Sequence, residues 1–559
     1  MSRIRLLIVA ALSAPILLGA QTATHPAALL RRHAPKPTAP AITPADLMTR
    51  LYIFADDSMQ GRETGTDGNK RGLRYIEREL TRLGLTPLGD SGGFLQEVPL
   101  VKRGWNSEFT ASVEGMALAP WSDVVPLPLR AAKPRSIDGA AVIYGGTVEE
   151  ATAAISAEQA TGKIVVLKSP GGLRAPRLAP GSPLTNAAGI ALFIGQALPE
   201  QFLAFFRTPG MSMPDGQSGT PPMAPTVIVL SPNALKVLFG SEAPDLRPGQ
   251  VGKALTTNLM YSETPAPAYN VVAMIPGSDA ALKGQYVAIG AHDDHVGYNH
   301  TPVDHDSLRA FQRAAWTMAG AYAGLPPLKA EQRASIHVNV DSLHKVRPAR
   351  LDSISNGADD DGSGSMAVLE IAENIARSRV KPKRSILFVW HTGEEKGLLG
   401  SQWISNHFPV ARDSIVAQIN IDMIGRGDAV DVKGGGPRYL SVVGAKRLSS
   451  MLGATVDSVA KAYATPIDLD YRMDTDGHPE NVYCRSDHYN YARWGIPVAF
   501  FFTGLHGDYH QVTDEPQYID YPHYSVITNY IRDLLVTVGN GTKPVVDKPK
   551  PDPNGQCRQ

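Results

Sequence analysis

The stretch Gly357-Ala358-Asp359-Asp360-Asp361-Gly362-Ser363-Gly364 constrains this chain more than any other. Three consecutive carboxylates are poor packing material, because Asp is rarely buried unless it is paired or holds a metal. The flanking glycines supply backbone that turns where other residues are strained. After the acidic loop, Met366, Leu369, Ala372 and Ile375 recur at helical spacing, so the loop opens a helix over Ser365 to Ala376. Alone, such a loop reads as a solvated turn with a helix cap. What overrides that reading is a set of apolar runs, each ending in ligand-type residues. Tyr286-Val287-Ala288-Ile289-Gly290 leads to His292-Asp293-Asp294, and Ser385 to Trp390 leads to His391-Thr392-Gly393-Glu394-Glu395. Ile415 to Ile421 leads to Asp422, and Ile496 to Phe502 leads to a loop with His506 and His510. Buried strands alternating with helical segments predict an α/β sheet covered on both faces. Open sheets of that kind gather their sites at the carboxyl ends of strands.

At those ends stand His292, Glu395, Asp422 and His510, and Asp360 of the acidic loop joins them as a ligand-type residue. Imidazole and carboxylate without cysteine are a catalytic rather than a structural zinc set. Five ligands exceed what one zinc needs. If one carboxylate bridges, they serve two ions with three protein ligands each, at the roughly 3.5–4 Å spacing of co-catalytic pairs. Asp294, two residues beyond His292, is expected to face the same side and orient its imidazole. Glu394 cannot easily share the metal pair with its neighbour Glu395, which leaves it free as general base. Against each stands a blander reading: a buried satisfied histidine for His292, a charged helix start for Glu394-Glu395. An unpaired carboxylate ending an apolar strand, as Asp422 does, is too costly for the bland reading to hold.

The rest of the chain bounds the setting. Net formal charge is zero and 19% of residues are charged, which argues against a nucleic-acid partner. Arg3 and Arg5 precede an apolar run, Leu6 to Leu18, and a small-residue site near Ala20. This predicts a cleaved signal peptide at 1–20, a secreted or periplasmic protein and no stable membrane insertion. The two cysteines, Cys484 and Cys557, are expected to be unpaired, with Cys557 in a polar tail at 541–559. Residues 21–44 read as a Pro/Ala/Thr-rich flexible linker. A helix bearing Leu73, Ile76, Leu80 and Leu83 ends at Gly84. From 137 to 259, short β-like runs between Gly/Pro-rich loops predict a mainly β insertion without chemistry of its own. The catalytic domain is then discontinuous, 45–136 and 260–540. A long excursion follows His295 and carries Asp304-His305-Asp306, which resembles a ligand site in miniature but, with no strand to deliver it, reads as a surface turn or helix start.

Taken in order, His292-x-Asp294, Gly357-Ala358-Asp359-Asp360-Asp361, Glu394-Glu395, Ile421-Asp422-Met423, Ser486-Asp487-His488 and Tyr509-His510 resemble the two-zinc aminopeptidase and glutamate carboxypeptidase family. The insertion resembles a protease-associated domain. The resemblance covers most of the chain after Ala45 and implies a three-layer α/β/α, phosphorylase/hydrolase-like fold with a mixed sheet. It implies that Asp360 bridges two Zn²⁺, one also held by His292 and Asp422 and the other by Glu395 and His510. It further implies a peptide substrate and a two-zinc-activated water. Tyr483, four residues before Asp487, matches a tyrosine that in some members steadies the tetrahedral oxyanion. His510 fits the family better than His506. The excursion is longer than usual for the family and leaves cleft shape open. The expectation is an aminopeptidase, with a carboxypeptidase, a single-zinc glutaminyl cyclase-like enzyme and a non-catalytic receptor-like protein as alternatives.

Overall fold

The structure, a computed structural model, describes residues 33–559 except 129–132, 171, 174–177, 179–180, 215–222, 242–244, 321–327 and 347. The expected signal peptide and half of the linker, 21–32, lie outside the described residues. In chain order the elements used below are α1 (Pro44–Phe54), α2 (Asp67–Leu83), β1 (Thr86–Pro87), β2 (Leu95–Val98), β3 (Ala268–Ile275), β4 (Tyr286–His292), α3 (His305–Ala319), α4 (Gly364–Arg377), β5 (Ser385–His391), α5 (Leu399–Asn406), β6 (Ile415–Ile421), β7 (Tyr439–Val443), α6 (Ser450–Lys461), β8 (Asp468–Asp470), α7 (His488–Ala492), β9 (Val498–Phe502) and α8 (Tyr521–Asn540).

A mixed nine-stranded sheet runs β1-β3-β5-β4-β6-β9-β7-β8, with β2 also paired to β3. Its centre, β5-β4-β6-β9, is parallel. The apolar runs form these strands because both faces are covered. Val287, Ile289 and Ala291 of β4 join Ile386, Phe388 and Trp390 of β5 in a core shared with α1, α2, α4, α6 and α8. The alternate residues, Ala288, Leu387 and Val389, face a second core with Ile404 of α5 and Tyr491 of α7. The α/β three-layer expectation therefore holds. α2 stops at Gly84, whose left-handed φ of 74° suits glycine.

A second, eight-stranded sheet has its own core, and its helices are short. It starts earlier than 137. The strands Ala111–Val113, Met116–Leu118 and Val124–Pro126 belong to it, the first paired with Val251–Thr257 and the third with Thr226–Leu230. The expected boundary is corrected accordingly. Three-residue strands carry too little periodicity to be seen, and their partners lie far along the chain.

The excursion is bracketed by an antiparallel pair, Gly297–Asp304 with Leu351–Ser355. Its helix α3 leans on the catalytic side of the large sheet. The Trp316 indole N–H donates to the Asp431 carbonyl at 2.6 Å, and Arg309 lies 3.6 Å from Asp508. The tail is tied down as well. Cys484 and Cys557 form a disulfide, against the expectation of free thiols. The Gln559 side chain accepts from the Tyr483 amide at 2.9 Å, which brings the tail to Cys484. Among the described residues no helix is long and apolar enough to cross a membrane.

Candidate active site

The acidic loop sits where the parallel strands end, and its three carboxylates do three different jobs. Asp361 joins strand ends: one oxygen accepts from the His292 amide (3.1 Å), the other from the amides of Met423 (3.1 Å) and Gly364 (2.8 Å). Asp359 accepts from the Gly425 amide (2.7 Å) and the Ser363 hydroxyl (2.8 Å), and faces His506 Nε2 at 3.2 Å. Asp514 takes the amides of Asp359 and Asp360 at 3.0 and 3.1 Å. Only Asp360 is left to point into the cleft. Gly357 makes the turn possible. Its φ is 56°, and a Cβ there would stand 2.3 Å from the Asp360 carbonyl and 2.5 Å from the His295 ring.

Asp360 divides its two oxygens. Oδ1 is 3.2 Å from His292 Nε2, which is 3.5 Å from Asp422 Oδ1. Oδ2 is 3.0 Å from His510 Nε2, which is 3.0 Å from Glu395 Oε2. All five expected ligands thus converge. His292 Nε2, His510 Nε2 and Asp360 Oδ2 are buried without a hydrogen-bond partner. Each His nitrogen faces two carboxylate oxygens, an arrangement that needs cations between acceptors. Burial alone would lower the His292 pKa, but Asp422 and Asp360 hold it well above the ordinary imidazole value. In the same way Asp360 and Glu395 overcome burial at His510 and raise it to about 10. So strong a demand for positive charge suits these groups to holding divalent metal.

Surrounding groups fix the ligands. The His292 Nδ1–H donates to the backbone carbonyl of Asp294 at 3.0 Å, while the Asp294 carboxylate stays 3.8 Å away. The expectation that this carboxylate orients the imidazole is corrected. Its Oδ2 accepts from the Thr64 hydroxyl (2.6 Å) and its Oδ1 from the Glu394 amide (3.1 Å), so it anchors Glu394 instead. The Ser486 hydroxyl donates to Asp422 Oδ2 at 2.8 Å. His295, fully buried, lies with Nδ1 2.9 Å from Glu395 Oε1 and offers a further ligand-type nitrogen beside Asp360 and Glu395. His391 and Asp487 pair behind the site at 3.4 Å, and His488 stacks on Phe500. His506 backs Asp359 rather than facing the cleft.

Glu394 opens on the cleft together with Asp360 and Asp422, and burial followed by the charges of Glu395, Asp422 and Asp487 pushes its carboxyl well above the usual range. Met423, Val482, Phe500, Phe502 and Leu505 form an apolar wall, and Arg485, Ser486 and Tyr509 complete the lining. Tyr483 is absent from it. Its ring packs on His488 and Tyr489 under Arg447, beside the tail. The physical reason is local. Val482–Cys484 is a 3₁₀ turn entered through Asn481 at φ 51°. In such a turn residues i and i+3 share a face, so Val482 and Arg485 look into the cleft and Tyr483 looks away. Tyr509 lines the cleft where Tyr483 does not. Its ring stacks on His510 with centroids 3.9 Å apart. Burial, and then Asp360 and Glu395, push its pKa well up, so the hydroxyl stays a donor. The signal in the sequence was its position beside His510.

Comparison with known proteins points the same way. Residues 270–535 match the model of Peptidase family M28. Leupeptin-inactivating enzyme 1 of Streptomyces exfoliatus is 31% identical over 172 residues, 30% of this chain and 34% of that protein. A probable leucine aminopeptidase of Arthroderma otae is 28% identical over 185 residues, 32% of this chain and 46% of that protein. The chain thus spans between a third and a half of these relatives. An aminopeptidase from Aneurinibacillus sp. strain AM-1 shares the fold, with a TM-score of 0.50 and 15% identity over 91% of this chain and 97% of that one.

Proposed function

From the match of residues 270–535 to Peptidase family M28, we propose that the chain is a zinc-dependent exopeptidase of that family acting as an aminopeptidase. One observation carries the reading: the Asp360 carboxylate stands between two separate sets of buried ligand atoms, His292 with Asp422 and Glu395 with His510. Two divalent cations held by these residues would supply Lewis-acid polarisation of a carbonyl and acidify a water. The remaining work falls to the chain. The Glu394 carboxylate, positioned through its amide by Asp294, takes a proton from the attacking water and returns it to the leaving amine. The Tyr509 hydroxyl donates to the carbonyl oxygen as negative charge gathers there. The wall of Met423, Val482, Phe500, Phe502 and Leu505 receives an apolar side chain. The amino-terminal run with Arg3 and Arg5 supports a secreted or periplasmic setting.

A carboxypeptidase reading has one observation in its favour, since Arg485 lines the cleft and could grip a terminal carboxylate. Its guanidinium is already bound to Glu480 at 2.6 Å and meets the Tyr509 hydroxyl at 3.4 Å, which favours the aminopeptidase. The test is a panel of short peptides with free or acetylated amino termini, with and without chelator. Free-amine peptides with apolar first residues should lose that residue. Chelator should stop the reaction and Zn²⁺ restore it. Release of carboxyl-terminal residues from acetylated peptides would overturn the assignment.

A further inference from the structure

We propose that His305, Asp352 and Glu515 hold a further divalent cation, one of the class that accepts imidazole and carboxylate together, such as Zn²⁺ or Mn²⁺. The three ligand atoms lie within 4.8 Å of one another and share no residue with the pair proposed around Asp360. The triplet Asp304-His305-Asp306 finds its partners here, from elements distant in sequence.

His305 opens α3 and is fully buried. Its Nδ1 lies 3.3 Å from Asp306 Oδ1, the usual partner that turns a ligating imidazole. A proton held there leaves Nε2 as a lone pair, and Nε2 makes no hydrogen bond although it is buried. It faces Glu515 Oε2 at 3.3 Å. That separation is close to the edge of a tetrahedron whose bonds are about 2.0–2.1 Å. The carboxylates are steadied from outside. Arg350 binds Glu515 Oε1 at 2.8 Å and leaves Oε2 turned inward, while the Ile354 amide donates to Asp352 Oδ1 at 3.1 Å. The Gln517 amide also rests on Glu515 Oε2, and half a turn about its last bond presents a carbonyl oxygen instead. Two carboxylates against one guanidinium leave a net negative charge beside the imidazole. A proton can bridge two acceptors; three gathered within 4.8 Å of one another suit an ion that makes several bonds. Such an ion would fasten the excursion, which carries His305 and Asp352, to the segment of Glu515. The neighbouring Asp514 holds the amides of Asp359 and Asp360.

The experiment is metal analysis of the full chain after loading with excess Zn²⁺ and dialysis. The wild type should retain three equivalents, His305→Ala and Asp352→Asn two each, and Asp352→Asn should keep native circular dichroism. Anomalous diffraction at the zinc edge from wild-type crystals should show a peak between these side chains. Equal metal content in wild type and both variants, or no peak there, overturns the proposal. Failure of the co-catalytic pair would look different: His292→Ala would then retain as much zinc as the wild type, whatever His305 does.

Discussion

At the scale of single residues, the chemistry divides between groups that hold charge and groups that move a proton. Glu394 shares the cleft of Asp360 and Asp422 without belonging to either proposed ligand set, so it can be altered without emptying the site. Glu394→Gln should lower kcat about 10²–10⁴-fold while zinc content stays that of the wild type. A variant that loses metal as well would contradict the division. Tyr509→Phe should cost about 10²–10³ in kcat with little change in KM, the pattern of a donor used only as charge develops. The gathering of these five side chains was legible in the sequence because a carboxylate or imidazole at the end of an apolar strand is costly to leave unpartnered. Tyr483 was misread because spacing counts residues and says nothing of which way a tight turn projects them. Asp294 was assigned to the wrong neighbour for a related reason: its backbone carbonyl reached the imidazole first.

At the scale of elements, the loop after Gly357 and the loops that brace it decide whether the ligands meet. Gly357→Ala must leave a left-handed backbone conformation and push against both the Asp360 carbonyl and the His295 ring, so the variant should bind less zinc although its strands are untouched. The segment Arg426 to Asp431 braces the loop carrying His510, with Arg426 bound twice to Asp431 at 2.9 Å and once to Asp508 at 3.1 Å. Burial works to raise the Asp431 pKa, but Arg426 prevails and depresses it to about 2. A depressed carboxylate stabilises the fold above its unfolded value, near 3.8, and the contribution vanishes as pH falls towards 2. It amounts to about 2 kcal/mol. Asp431→Asn should therefore unfold more easily than the wild type at pH 6, and the gap should close by pH 2. A gap that persists at pH 2 would show that the pair acts through packing alone. The strands and helices behind this site were readable because buried parallel strands are unbroken apolar runs and the helices are punctuated by Gly and Thr. The expected helix at 365–376 is observed as Gly364–Arg377. The strands at 111, 116 and 124 were not readable, since each is three residues long and is defined by partners far away in sequence.

At the scale of the whole molecule, the bond between Cys484 and Cys557 ties the tail to the turn that presents Val482 and Arg485 to the cleft. Composition argued for free thiols because two cysteines make no framework and one of them lies among polar residues. Pairing is a property of the folded path, along which Gln559 also bonds the Tyr483 amide and the Met473 and Thr475 carbonyls. The bridge fits an oxidising compartment, in accord with the proposed export. It closes a loop of 73 residues, for which lost chain entropy in the unfolded state amounts to about 4 kcal/mol. Cys557→Ser should lower the denaturation midpoint to that of the wild type under reducing conditions, and reductant should then move the variant no further. Zinc content should be unchanged, because neither cysteine approaches the ligands. If the variant and the oxidised wild type unfold together, the tail is held by its hydrogen bonds and the covalent link adds nothing.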